Sequence, residues 1–236
     1  MIAEQNRVDF PYDVVRTSRK KTASIKVIEG QVQVIVPMDL PQSDIEDVLF
    51  KKRLWVREKI RHYKDAMPSK PKEYVNGEAF TYLGKNYKLK IVPDGIGEVK
   101  LKAGYLELHI KEGYPESRLD AFIRRQLSSW YKRKAEKRLT DKVKRLSTTL
   151  SLEPKSVSIH DFKSRWGSCS VDGDISFNWK IIMAPHHIID YVVAHELCHM
   201  FEHNHSPAFW KHVERLIPDY RDCKDWLKEH GAGLTV

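Results

Sequence analysis

Cysteine is scarce in this chain, with Cys169, Cys198 and Cys223 the only three in 236 residues. An odd number at wide spacing makes no disulfide framework and fits reduced thiols, which predicts a cytoplasmic protein. Long apolar runs are missing too: none approaches the roughly 20 residues that a membrane helix needs, so no membrane partner is expected. The opening stretch MIAEQNRVDFPYD lacks the basic and then apolar pattern of a secretory signal, and export by that route is not expected. Glycine and proline, eleven each, are too few for a collagenous or low-complexity chain, and no internal repeat is present. What remains, 41% hydrophobic and 31% charged, suits a globular protein with apolar material for one sizeable core or two small ones.

Charge and histidine are unevenly spread. The net charge of +9 conceals 32 basic against 20 acidic residues in 1–150, and 9 against 12 in 151–236. Positive charge attracts polyanions or acidic protein segments, whereas a reaction site need not be basic. Histidine runs the other way, because His62 and His109 precede residue 150 and the other nine of eleven follow it. The chain is therefore divided near residue 150, into a β-rich N-terminal region with two basic amphipathic helices (1–150) and a C-terminal module that carries the chemistry (151–236).

Periodicity supplies the elements. Residues 23–27 and 31–36 read as two strands joined at Glu29-Gly30. From Ser43, a suitable N-cap, Ile45, Val48, Leu49, Leu54, Trp55 and Ile60 recur near helical spacing until Pro68 stops the helix. Four short strands at 78–83, 87–92, 98–102 and 105–110 predict one antiparallel sheet. A long helix over 116–146 carries Ile123, Leu127, Trp130, Tyr131, Leu139 and Val143 on one side. On its other side, eleven Lys or Arg stand against three acids in 118–145, a face that either tracks a phosphate backbone or is simply solvated. Further on, 157–162 and 175–179 predict a hairpin with Asp172-Gly173 at its turn. Ile188, Ile189, Val192, Val193, Leu197 and Met200 then form an apolar helical stripe, and Ser206-Pro207 suits the N-cap and first-turn proline of another helix that ends at Pro218.

The striped helix contains His195-Glu196-Leu197-Cys198-His199. Two histidines four apart share one helical face and can chelate one metal. Imidazole suits Zn²⁺, and a catalytic zinc keeps three protein ligands and a water, so one zinc per chain needs a third ligand nearby. His205 has the six-residue offset of the metzincin pattern, in which a glycine stands where this chain has Glu202. Asn204, tolerant of left-handed backbone, can make the turn instead. His203 competes, but a helix continuing to it would carry it a full turn beyond the metal, which favours His205. Glu196, directly after the first ligand, is placed as a general base for a bound water without filling the metal's sphere. Metal and glutamate together predict amide hydrolysis. Other readings stay open: a structural zinc with a fourth ligand from Cys198, Cys169 or His203, hydrolysis of another amide or ester, and a nucleic-acid-associated protein working through the basic helix 118–145. Cys198, three residues beyond His195 with apolar neighbours, reads as a small buried hydrophobe.

The runs RWGSCS (165–170), FNW (177–179), HELCH (195–199), NHSPAFW (204–210) and PDY (218–220), with SRKKTASIKV (18–27) upstream, resemble the YgjP-like zinc metallopeptidases, relatives of the SprT-like and WLM groups. The resemblance covers nearly the whole chain. It implies a zinc-bound hydrolase of peptide bonds, with His195, His199 and His205 as ligands, Glu196 as catalytic acid and base, and a protein or peptide substrate. It also places the loop of Arg165 and Trp166 beside the site, where Arg165 is a candidate catalytic residue that stabilises the oxyanion and Gly167 lets backbone approach closely. SprT-like relatives act on proteins attached to DNA, an analogy that would give the basic face a use. The expected fold is α+β, a β-rich N-terminal region followed by a zincin-like metallopeptidase module built on the HExxH helix; oligomeric state is not specified.

Overall fold

The computed structural model describes residues 8–19, 22–28, 30–65, 72–95 and 97–236. Glu29 of the first expected turn and Pro68, the expected helix stop, lie outside the described residues. Contacts divide the chain into two compact units, Met1–Met67 and Pro68–Val236.

In the first unit, β1 (Tyr12–Thr17), β2 (Ser24–Ile28) and β3 (Gln31–Pro37) form a sheet in the order β1-β3-β2. The expected hairpin is β2–β3, antiparallel, with Val27 opposite Val32. β1 adds parallel to the other edge of β3. No residue of β1 is fully buried, so it lacks the strong alternation that marks a strand in a sequence. Val32, Val34 and Val36 alternate inward and meet α1 (Gln42–Asp65) through Ile45, Leu49 and Val56. Leu54 and Trp55, expected on that stripe, are 68% and 41% exposed, because the inward face of α1 runs through Val56.

The second unit is built around a long helix and two small sheets. β4 (Ala79–Tyr82), β5 (Lys85–Val92), β6 (Val99–Lys102) and β7 (Tyr105–His109) make the first sheet in the order β4-β5-β7-β6. It is mixed rather than antiparallel: β7 inserts between β5 and β6 and runs parallel to β5, a direction set by the crossover and not by strand periodicity. After a 3-10 turn, α2 (Leu119–Leu150) buries Ile123, Leu127, Tyr131, Ala135, Leu139 and Val143, nearly one per turn. Its 32 residues extend about 48 Å. Burying each large side chain on that face contributes about 1.5–3 kcal/mol, which makes α2 the spine of the unit.

β8 (Ser156–His160), β9 (Gly167–Cys169) and β10 (Asp174–Asn178) form the second sheet, with β10 in the centre. The expected pairing of 157–162 with 175–179 exists but is parallel. The hairpin partner of β10 is β9, in the stretch expected to be loop, and Gly173 takes the positive φ of 84° that its turn requires. A 3-10 turn (Trp179–Met183) leads to α3 (His186–Cys198), α4 (Pro207–Leu216) and α5 (Tyr220–His230). The β4–β5 turn docks on this 3-10 turn: Leu83 and Gly84 donate N–H to the Ile182 and Met183 carbonyls, at 2.9 and 3.0 Å. Gly84 has φ 76°, and a Cβ there would lie 2.9 Å from Pro185 Cα, so the start of α3 is seated on a residue without a side chain. One apolar core runs from Phe80 to Leu234, through residue 150, because α2 packs on both the strands before that position and the helices after it. The fold is α+β. Among the described residues no helix is long and apolar enough to cross a membrane.

Candidate metal centre

α3 is apolar nearly all round, with Ile188, Ile189, Val192, Val193 and Leu197 buried, and a helix of that kind belongs in a core. His186, His187 and Asp190 keep to its outer side, and His195 and Glu196, with His199 at the cap, are the polar groups that turn inward. The helix ends at Cys198, with His199 as its cap, and the next N–H groups fold back in tight turns, Met200 to the Leu197 carbonyl and Phe201 and Glu202 to that of Cys198. Because the helix does not continue, His203 is left exposed. Asn204 does not take the left-handed backbone expected of it; the chain is redirected by these turns and by Ser206 N–H donating to the Asn204 carbonyl at 2.8 Å. Ser206 then caps α4 as expected, its Oγ accepting from Phe209 N–H with Pro207 as the first helical residue.

That turn returns His205 to α3. His195, His199 and His205 offer ring nitrogens that all lie within 4.8 Å of one another, and Nε2 of His205 is 3.0 Å from Nε2 of His195. Nδ1 of His199 lies 3.1 Å from the Glu202 carbonyl, an acceptor only, so Nδ1 carries the proton and Nε2 keeps its lone pair. His195 leaves Nδ1 buried without a hydrogen-bond partner. Burial, then the neighbouring His199 and His205, and then Lys224 lower the His195 pKa to about 3. His199 and His205 are lowered as well, chiefly by burial. All three rings are therefore neutral near pH 7, the form in which imidazole binds a metal. Among the described residues no cysteine or carboxylate joins this group: Cys198 is wholly buried, with its thiol pushed up to about 12 by desolvation, and Cys169 lies half-buried on β9.

The floor of the group is aromatic. Phe209, fully buried, stacks on His199 at 4.5 Å between centroids and meets His205 and His195 edge-on at 4.8 and 5.0 Å. Trp210 stacks on His205 at 5.6 Å and on Tyr220 of α5 at 5.1 Å. In the sequence Phe209 and Trp210 stand in the NHSPAFW run, where nothing had connected them to the histidines. The spacing of four between His205 and Phe209, the helical-neighbour offset, was the available signal.

Glu196 is 5% exposed, and burial raises its pKa to about 8 against the opposing pull of Arg165. Its carboxylate lies against the backbone of β9: a Cβ at Gly167 would come within 2.5 Å of Oε1. Arg165, in the loop before β9, holds its guanidinium 4.7 Å over the Phe162 ring, and its charge reaches Glu196. Asn178 pins this loop by donating from Nδ2 to the Phe162 and Arg165 carbonyls at 2.8 and 3.3 Å. Asp190 on α3 is engaged by Lys142 of α2, and its neighbour Tyr191 lies edge-on to His195 at 5.8 Å.

Residues 21–230 match the family described as YgjP-like, metallopeptidase domain. No curated protein matches the chain. Two solved structures are similar over part of it. The metallopeptidase zymogen of Pyrococcus abyssi abylysin is 22% identical with a TM-score of 0.35, covering 38% of this chain and 90% of that one. That of Methanocaldococcus jannaschii jannalysin is 20% identical with a TM-score of 0.34, covering 38% and 95%.

Proposed function

The chain belongs to the YgjP-like metallopeptidase family, and from that premise we propose that it hydrolyses peptide bonds in protein or peptide substrates, with one zinc ion held by His195, His199 and His205 and with Glu196 as general base. The observation that carries this reading is the convergence of three neutral imidazoles on an aromatic floor, with a buried carboxyl on the very next residue of the helix. Zinc–nitrogen bonds of 2.0–2.1 Å in tetrahedral geometry separate two ligand atoms by about 3.3 Å, close to the 3.0 Å between His195 and His205. Three protein ligands rather than four favour a site with an open position over a structural zinc.

Zinc bound there would supply a Lewis acid for the scissile carbonyl and lower the pKa of its water to about 7. The chain's own residues do the rest. Glu196 accepts the proton of the attacking water and returns it to the leaving nitrogen, a two-way exchange suited to a carboxyl raised towards neutrality. Gly167 makes room for that carboxylate against β9. Phe209 and Trp210 exclude water from one side of the histidines and so strengthen electrostatic interactions there. Arg165 stabilises the charge that develops on the carbonyl oxygen, its guanidinium steadied on Phe162. β9 is an edge strand packed against α3, and its free edge offers main-chain partners to an extended substrate. Nothing in the geometry favours nucleic-acid binding by α2, two of whose cations are turned to internal partners, Lys142 to Asp190 and Arg138 to the Tyr82 hydroxyl.

Elemental analysis paired with peptide cleavage tests the proposal. Near-stoichiometric zinc is expected in the wild type, in His203→Ala and in Glu196→Gln, and is expected to be lost in His195→Ala, His199→Ala and His205→Ala. Zinc-loaded wild type should cleave a quenched peptide library that Glu196→Gln leaves intact. A wild type that neither carries zinc nor takes it up overturns the reading.

A further inference from the structure

The mechanism above makes no use of Lys224, yet α5 delivers this residue to the metal group. Its ammonium stands 5.1 Å from the centre of the Trp210 ring, which also stacks on His205 at 5.6 Å and lies 5.9 Å from His195. Nζ is thus within about 11 Å of the His205 ring, roughly the reach of two extended residues plus a side chain. Some lysines of this unit have carboxylate partners, such as Lys142 with Asp190 and Lys180 with Asp161 at 3.0 Å, whereas others, such as Lys134 over Trp130, rest on an indole. Among the described residues Lys224 has no carboxylate partner, only the indole of Trp210. An exposed cation placed beside the seat of a second cation is repelled by it unless an anion comes between them.

We propose that Lys224 is a specificity-determining residue that receives a carboxylate of the substrate, from an Asp or Glu side chain or from the chain's C-terminus, within two residues of the scissile bond. The proposal rests on the peptidase reading of the same site. Trp210 has two tasks here: it packs on His205 and it carries the lysine's ammonium over its face.

The test uses the zinc-loaded full chain and one cleavable peptide varied at the two positions on either side of the scissile bond. Each position carries Glu or Gln in turn, and the peptide is also ended one or two residues beyond that bond as a free acid or an amide. At one position the wild type should favour the carboxylate by about tenfold in kcat/KM, the scale of one charge-assisted contact at a partly wet site. Lys224→Gln should reduce that preference to below threefold, Lys224→Arg should retain most of it, and the Gln and amide peptides should be cleaved equally by all three. The Glu and free-acid arms separate a side-chain carboxylate from a terminal one. Binding of the same peptides to zinc-loaded Glu196→Gln, read by fluorescence anisotropy, asks about Lys224 without any turnover, so failure of the peptidase reading and failure of this proposal are distinguishable. Carboxylate selectivity that is absent in wild type or survives Lys224→Gln overturns the proposal, and so does loss of zinc from Lys224→Gln.

Discussion

α2 and α3 pack against each other and treat polar groups in opposite ways. α2 keeps its buried face almost purely apolar and sends its many Lys and Arg outward or to partners such as Asp190. α3 is enclosed on nearly every side and yet takes His195, Glu196 and His199 inward. Burying polar groups without full partners is unfavourable, and the helix bears it only because the core of the unit holds it in place. The difference runs through a single core: α2 presents most of its charge to the surface, whereas α3 and its cap bring three polar side chains inward.

The comparison breaks most sharply at the histidines. His199→Ala should abolish metal retention and peptide hydrolysis together, while Lys134→Ala and Lys144→Ala on α2 should change neither, as metal analysis and cleavage assays will show. Glu196→Gln comes next: kcat should fall by about 10²–10⁴-fold, the range for a positioned general base, with zinc still bound. Gly167→Ala tests the close approach of β9 to α3. A methyl group 2.5 Å from Glu196 Oε1 forces either strand or carboxylate to move, so denaturant unfolding should show a loss of about 1–3 kcal/mol, with kcat lowered as well.

The pH dependence of the metal-free protein sharpens the contrast further. Glu196 is raised from 4.5 to about 8, so its burial is harmless below pH 4.5 and increasingly destabilising as pH rises to 8. His195 is lowered from 6.5 to about 3, so its burial is harmless above pH 6.5 and increasingly destabilising as pH falls towards 3. Thermal unfolding after chelation should therefore show Glu196→Gln equal to wild type below pH 4.5 and more stable than it above pH 8. Equal stability at both extremes would remove the claim that α3 carries a buried, destabilising carboxyl. The smallest effect belongs to the exposed α2 charges, whose replacement by alanine should shift stability by less than about 0.5 kcal/mol at any pH.

Local pattern made much of this legible beforehand. The HExxH helix follows from apolar spacing, and the Ser206-Pro207 restart announced that the chain leaves the helix before His205. α1 and α2 were recognisable by period, though the inward face of α1 was misplaced by two rejected residues, Leu54 and Trp55. Strand direction was the main loss: β5 with β7, and β8 with β10, are parallel where hairpins or an antiparallel sheet were expected, and β1 went unseen. A strand's side-chain alternation is the same in either direction, so periodicity carries no information about which way its neighbour runs. The division near 150 followed charge and histidine content, while the contacts separate the chain between residues 67 and 68.

Residue type and spacing by themselves determined that two histidines and a glutamate share one helix, because 3.6 residues per turn set which side chains are neighbours over four positions. Tertiary structure alone decided that Gly167 lies against Glu196, that Phe209 floors all three rings, and that Lys224 of α5 lies over Trp210. Each of those contacts joins different elements of the chain, and such pairings depend on how whole helices and strands pack, which no local periodicity records.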